Sequence, residues 1–181
     1  MTHAIATVAL FVFSLPLVAD SSHLRQSSSP QSNEQLQLKL ILGDEKETYK
    51  IGDEVRFKVT IENQSSEQAR VAVIDPYYQN RPKLFRNGAV VDYQTKADRL
   101  VRSKDKSTEV LRLTFVSIGP YSSKTLPWLD LRDWYGSLPP GSYRLTNRYR
   151  TSFEGPWTKD SAEIQFTVVK DDSDKTRRIG R

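Results

Sequence analysis

Three tryptophans and a tyrosine carry most of the chemical character of this 181-residue chain. Trp128, Trp134, Tyr135 and Trp157, with Phe153 shortly before the last, fall in turn-rich segments, where planar rings can stack on sugar rings or anchor a protein partner. The same residue types also cap cores, because large aromatics are usually mostly buried. Asp130 and Asp133, with Arg132 between, are carboxylates of the kind that serve glycosidic or metal chemistry. A spacing of three in a loop fixes no separation, and no calcium-loop pattern surrounds them, so they read as solvated surface. The run Asp171-Asp172-Ser173-Asp174 reads the same way. Lys96, Arg99, Arg102, Lys104 and Lys106 form a basic stretch diluted by Asp98 and Asp105; it has no aromatics to stack bases, which argues against nucleic acid as a partner. Asn63-Gln64-Ser65 spells a glycosylation sequon, meaningful only in a eukaryotic secretory pathway.

Composition narrows the chemistry further. Cysteine is absent, which removes disulfides, thiol nucleophiles and thiolate-bound metals. The two histidines, His3 and His23, precede the candidate folded region and leave it without an imidazole base or ligand. Ser-His-Asp catalysis and His-based zinc sites are thereby excluded. The expectation is a non-enzyme with no metal and no cofactor. A net charge of +5, with cations and anions interspersed, suits solubility better than a dedicated polyanion surface.

The elements that must position these residues are short strands. In Tyr49 to Asn63, the apolar Val55, Phe57, Val59 and Ile61 alternate with Arg56, Lys58, Thr60 and Glu62, a period of two that buries one face and wets the other. Ile51-Gly52-Asp53 supplies a turn before it. Leu36, Leu38, Leu40 and Leu42 alternate with Gln37, Lys39 and Ile41 in a strand ahead of it. Val71 and Val73 share a face in Ala69 to Ile74, a strand that Asp75-Pro76 stops because proline has no N–H for the ladder. Tyr77 to Pro82 reads as a loop with an exposed aromatic pair. Leu84 to Val91 reads as a hairpin turning at Asn87-Gly88, since Asn-Gly tolerates the positive φ of a type I′ turn. Gln94 to Ser107 has neither period and reads as an ordered loop, with a short helix at Lys96 to Val101 as the second choice. Further strands are expected at Leu111, Leu113 and Phe115, at Tyr143, Leu145, Asn147 and Tyr149, and at Ala162, Ile164, Phe166 and Val168. About seven short strands without a clear helix fit two antiparallel sheets packed face to face.

The ends differ from this middle. Residues 1–19 contain an uncharged apolar run, Ala4 to Val18, too short for a comfortable membrane span and suited to a signal peptide cut near Ala19, although no Lys or Arg precedes it. Residues 20–35 are rich in Ser and Gln and read as a disordered linker, and 171–181 as a charged disordered tail. The domain proper is expected over 36–170, with no stable membrane span once the leader is removed.

Leu138-Pro139-Pro140-Gly141-Ser142-Tyr143 resembles the tyrosine corner of immunoglobulin-like and fibronectin III-like sandwiches, in which a tyrosine hydroxyl ties back to the backbone just upstream. The series Tyr49, Gly52, Asp53, Val55, Val59, Asn63 and Ser65, followed by Gly88, Val91, Gly141 and Tyr143, is similar to bacterial Ig-like domains, nearest the BsuPI-type proteinase-inhibitor domain. The resemblance implies an all-β, Ig-like two-sheet antiparallel sandwich in which Gly52, Gly141 and Tyr143 are structural. It carries across no inhibitory residue. The expected role is an exported, secreted or periplasmic binding or accessory module of the cell envelope that contacts a protein or glycan through Trp128, Trp134, Tyr135 and Trp157. Inhibition of extracytoplasmic proteases is the alternative.

Overall fold

The computed structural model describes residues 35–107 and 114–170. The leader 1–19, the linker up to residue 34, Leu111 and Leu113 of one expected strand, and the tail 171–181 lie outside the described residues. In chain order the elements are β1 (Leu36–Leu42), β2 (Thr48–Lys50), β3 (Arg56–Asn63), β4 (Ala69–Val73), α1 (Pro76–Gln79), β5 (Lys83–Arg86), β6 (Ala89–Val91), α2 (Thr95–Lys106), β7 (Thr114–Ile118), β8 (Ser123–Asp130), α3 (Leu131–Tyr135), β9 (Gly141–Thr146) and β10 (Ile164–Val169). The fold is predominantly β.

The strands form a three-stranded sheet ordered β1-β3-β8, a five-stranded sheet ordered β2-β10-β9-β5-β6, and a separate β4-β7 pair. This departs from two purely antiparallel sheets in two respects: there is a third ladder, and β2 runs parallel to β10, with Tyr49 opposite Val168. β3 is central to its sheet, paired with β1 on one side and β8 on the other, and its outer face is partly covered as well, with Thr60 buried. Val55, Phe57, Val59 and Ile61 are all buried, and Leu36, Leu38 and Leu40 line up beside them on β1. Phe57 meets Phe166 of β10 at 6.0 Å, while Tyr143 stacks on Phe166 at 5.1 Å and Tyr49 meets its edge at 5.9 Å. The inner faces of the three- and five-stranded sheets thus share one core. Full burial of each such side chain contributes roughly 1.5–3 kcal/mol.

The turns follow the residues that allow them. Asn87 and Gly88 have φ of 49° and 88°, and the flanking Arg86 opposes Ala89, which is the two-residue hairpin read from Asn-Gly. Gly52, at φ 89°, occupies the turn after β2, closed by Asp53 N donating to Lys50 O at 3.0 Å. A Cβ at Gly141 would press on the Arg86 side chain. The Tyr143 hydroxyl donates to Pro139 O at 2.5 Å, the back-bond that its resemblance implied. Tyr143→Phe is expected to lower stability by about 1 kcal/mol, the net worth of one such bond. Urea unfolding measures this; an unchanged midpoint would show that the bond does not hold the corner.

Three helices correct the expectation of loops. Residues 95–106 are helical because Ala97 and Val101, one turn apart, are buried while Asp98 and Arg102 pair at 2.9 Å on the wet face. α1 begins where Asp75 caps the N–H groups of Tyr77 and Tyr78 and proline occupies the first helical position. The aromatic pair there is not exposed: Tyr78 is buried and Tyr77 half-buried against Trp134. α3 starts at Asp130, whose carboxylate accepts from Arg132 N, and places Leu131, Trp134 and Tyr135 on one inward face.

Candidate binding cleft

The four aromatics expected to form one surface are placed apart. Trp134 is 2% exposed, packed against Tyr77 at 5.0 Å and Tyr93 at 5.2 Å, and Tyr135 is buried beside Tyr93. Both are core residues, because the i, i+3, i+4 spacing of α3 turns them inward with Leu131. Trp128 stands on the outer face of β8, 48% exposed. A register shift between Phe57 and Val59 explains this: Leu126 and Leu129 both point inward, leaving Pro127 and Trp128 outside. Its ring covers Gly43, where any Cβ would collide with it, and Lys58 Nζ lies 5.6 Å from the ring centroid. Trp157 is half-buried in a loop that returns on Arg150 through an isolated antiparallel bridge.

What gathers round Trp157 is not aromatic but cationic. The guanidinium carbons of Arg81, Arg148 and Arg150 lie 4.8, 5.0 and 4.5 Å from its ring centroid. Arg150 is also 4.7 Å from Tyr78, which stacks on Phe153 at 5.6 Å. Such contacts draw cations onto the ring face and hold the indole as a platform for guanidinium groups rather than as an open surface for a sugar. Arg81 is tied into the scaffold. Its Nη1 donates to the carbonyls of Tyr77 at 2.6 Å and Asn80 at 2.7 Å, which α1 leaves unpaired at its end, and its Nη2 bonds Asp105 of α2. Burial lowers the Arg81 pKa, and Asp105 opposes that shift. Arg148 is exposed and has no carboxylate partner among the described residues, and the Arg150 Nε is buried without a hydrogen-bond partner.

Beside this cluster opens a cleft of about 430 Å³. Arg81, Lys83 and Arg148 line it together with Val90, Asp92 and Asp160, and Tyr93 and Tyr135 form part of the wall. Both tyrosine hydroxyls donate to Pro82 O at 2.8 Å, so the rings are fixed and their oxygens spoken for. Burial pushes the Tyr93 pKa up to about 12 and raises that of Tyr135 as well, so neither serves as a base near neutrality. The alternation Arg144, Arg148 on the wet side of the β9 strand and its continuation was visible in the sequence. That Arg81, far away in the chain, would meet it was not; the one available signal is an arginine placed directly after the Asp-Pro-capped turn.

The other candidates resolve into scaffold. Asp130 pairs with Arg56 at 3.0 Å and caps α3, whereas Asp133 is exposed. In the basic stretch, Lys104 pairs with Asp75 at 3.2 Å. Among the described residues no three His, Cys, Asp or Glu side chains stand together as metal ligands would, and no helix is long and apolar enough to cross a membrane.

No known family profile matches the chain, and no curated protein matches its sequence. Among solved structures, the chain is similar to the CARDB domain of the PF1109 protein from Pyrococcus furiosus, solved with di-metal ions (TM-score 0.37, 11% identity, 75% of this chain and 94% of that one). It is also similar to part of a β-glucosidase from Listeria innocua in complex with glucose (TM-score 0.38, 16% identity, 74% of this chain and 16% of that one). A third is the alkylpurine DNA glycosylase AlkC of Pseudomonas fluorescens bound to DNA (TM-score 0.38, 10% identity, 74% of this chain and 30% of that one). The three differ in what they do.

Proposed function

We propose that this chain is an exported, non-catalytic binding module with an Ig-like two-sheet sandwich, and that it holds an anionic segment of a protein or glycan of the cell envelope in the cleft beside Trp157. The sandwich reading is supported by the core shared between the β1-β3-β8 and β2-β10-β9-β5-β6 sheets and by the Tyr143 back-bond. The observation that carries the binding reading is the set of three guanidinium groups around one indole, of which only Arg81 has a carboxylate partner among the described residues. Guanidinium groups recognise carboxylate, sulfate and phosphate through paired N–H donors, and a half-desolvated platform strengthens such bonds. Asp92 and Asp160 on the rim disfavour polyanions of uniform charge and favour a ligand whose negative groups are spaced.

The test is a titration of the purified protein with an acidic polysaccharide, an acidic peptide and neutral dextran, read by Trp fluorescence and amide shifts at Val91, Tyr93 and Arg148. Acidic ligands are expected to shift these signals, and Arg148→Glu to weaken binding at least tenfold, about 1.4 kcal/mol. Equal binding by Arg148→Glu, or a response to dextran alone, would remove the cleft from consideration as an anion site.

A further inference from the structure

A second surface shares no residue with the cleft. β1 is the seven-residue edge of its sheet and pairs with β3 alone. Gln64 N donates to Gln35 O at 2.8 Å and Gly43 N to Arg56 O at 2.8 Å, and both pairs belong to the register in which Leu36 opposes Asn63. In an antiparallel ladder, alternate residues bond the same neighbour, so Gln37, Lys39 and Ile41 bond to β3. Leu36, Leu38, Leu40 and Leu42 therefore aim their N–H and C=O groups at the open edge, although their side chains point into the core. No hydrogen bond among the described residues takes these groups up.

The other edges of the two sheets that share the core are blunted. β2 and β6 are three residues long, and β8 carries Pro127 and a register shift. β1 has no proline, no shift and one charge, Lys39, which is held by Glu62 at 2.7 Å on its own sheet.

We infer that β1 is a dimerisation edge, pairing antiparallel with β1 of a second copy about a two-fold axis at Leu38. The open backbone groups lie on even-numbered residues, so the symmetric registers centre on Leu38, Lys39 or Leu40. Centring on Lys39 sets that lysine against its own copy, a directly opposed like pair. Centring on Leu40 brings the partner strand against the turn at Gly43, where the chain leaves for β2. Centring on Leu38 uses Leu36, Leu38 and Leu40, stays clear of the turn, and sets Gln37 opposite Lys39 of the partner copy twice over. The product is one continuous sheet, β8-β3-β1 joined to the same three strands of the second copy, closed by two-fold symmetry.

The experiment uses the purified full chain in sedimentation equilibrium, with hydrogen exchange followed at single amides. A concentration-dependent dimer is expected, together with protection of the Leu36, Leu38 and Leu40 amides that rises with dimer fraction. The register makes charge at position 37 decisive: Gln37→Glu is expected to tighten the dimer severalfold by facing Lys39 of the second copy, and Gln37→Lys to weaken it about tenfold. Residue 37 is exposed and its side chain lies outside the core, where it accepts from Gln64 Nε2 at 2.5 Å and opposes Glu62 of its own sheet, so both variants are compared by dimer constant after urea midpoints confirm that each folds. A chain monomeric at about 1 mM, a dimer whose Leu38 amide exchanges as in the monomer, or equal effects of Glu and Lys at position 37 would each overturn the inference.

Discussion

Trp134→Ala is expected to lower stability by about 3–5 kcal/mol, the usual cost of emptying a buried aromatic site. The ring is 2% exposed and touches Tyr77 and Tyr93, which belong to segments far apart in the chain. The backbone at this point is equally committed: Gln94 N donates to Trp134 O at 2.8 Å, and Gln94 Nε2 donates to Asp133 O at 2.7 Å. The truncation loosens the junction of α2 with α3 and, through Tyr93 and Tyr135, the wall of the cleft. Trp128→Ala is the control. Its ring is nearly half exposed on the outer face of β8, and its removal should cost less than about 1 kcal/mol. Urea midpoints of the two variants measure the contrast, and equal losses would contradict the burial of one and the exposure of the other.

Asn63→Ala is expected to cost about 3 kcal/mol, more than its small change in apolar area would suggest. The side chain is 1% exposed and fully engaged. Its Nδ2 donates to the carbonyls of Glu67 at 2.6 Å, Gly119 at 3.0 Å and Ile118 at 3.3 Å, and its Oδ1 accepts from Ser65 N at 3.1 Å and Ser65 Oγ at 2.7 Å. The residue clasps the turn after β3 to the turn between β7 and β8. Alanine takes a donor from all three carbonyls, leaving Glu67 O with Ser65 Oγ at 3.0 Å and Gly119 O with Ser122 N at 3.3 Å. Asn63→Asp tests the same clasp differently, because the carboxylate keeps the acceptor but loses every donor; thermal unfolding should place it near Ala. A loss under about 1 kcal/mol in both would show that water replaces the amide at little cost. The same burial closes the sequon: a folded Asn63 has no free amide nitrogen to modify.

The strands with unbroken alternation were legible, as in Leu36 to Leu42 and Val55 to Ile61, whereas β8, whose alternation Pro127 and the register shift interrupt, was not. The Asn87-Gly88 hairpin and the Tyr143 corner were legible because the chemistry of each turn is local. The helices were not. α1 and α3 have four and five residues, a single turn each, too few for a 3.6-residue period to declare itself. In α2 only Ala97 and Val101 are buried, so its apolar stripe is two residues wide in a polar sequence. The aromatic segment Trp128 to Tyr135 looked like one surface because its change from strand to helix at Asp130, which sends Trp128 out and Trp134 in, carries no mark beyond the capping carboxylate. The cluster beside the cleft depends on Arg81 meeting Arg148 and Arg150 around Trp157, and the cleft itself on Arg81 meeting Arg148, a juxtaposition across about seventy residues that no local pattern records.

The parallel pairing of β2 with β10 bears on mechanics. Thr167 N donates to Glu47 O at 2.8 Å and Ile51 N to Val169 O at 3.0 Å, so bonds at both ends of this short ladder join an early strand to the last one. When tension is applied through the two ends of the domain, parallel neighbours are dragged lengthwise past each other, and the bonds between them are loaded together instead of parting one by one. Tension that reaches β2 and β10 would load this seam in shear, with Tyr49 packed edge-on against Phe166 beneath it.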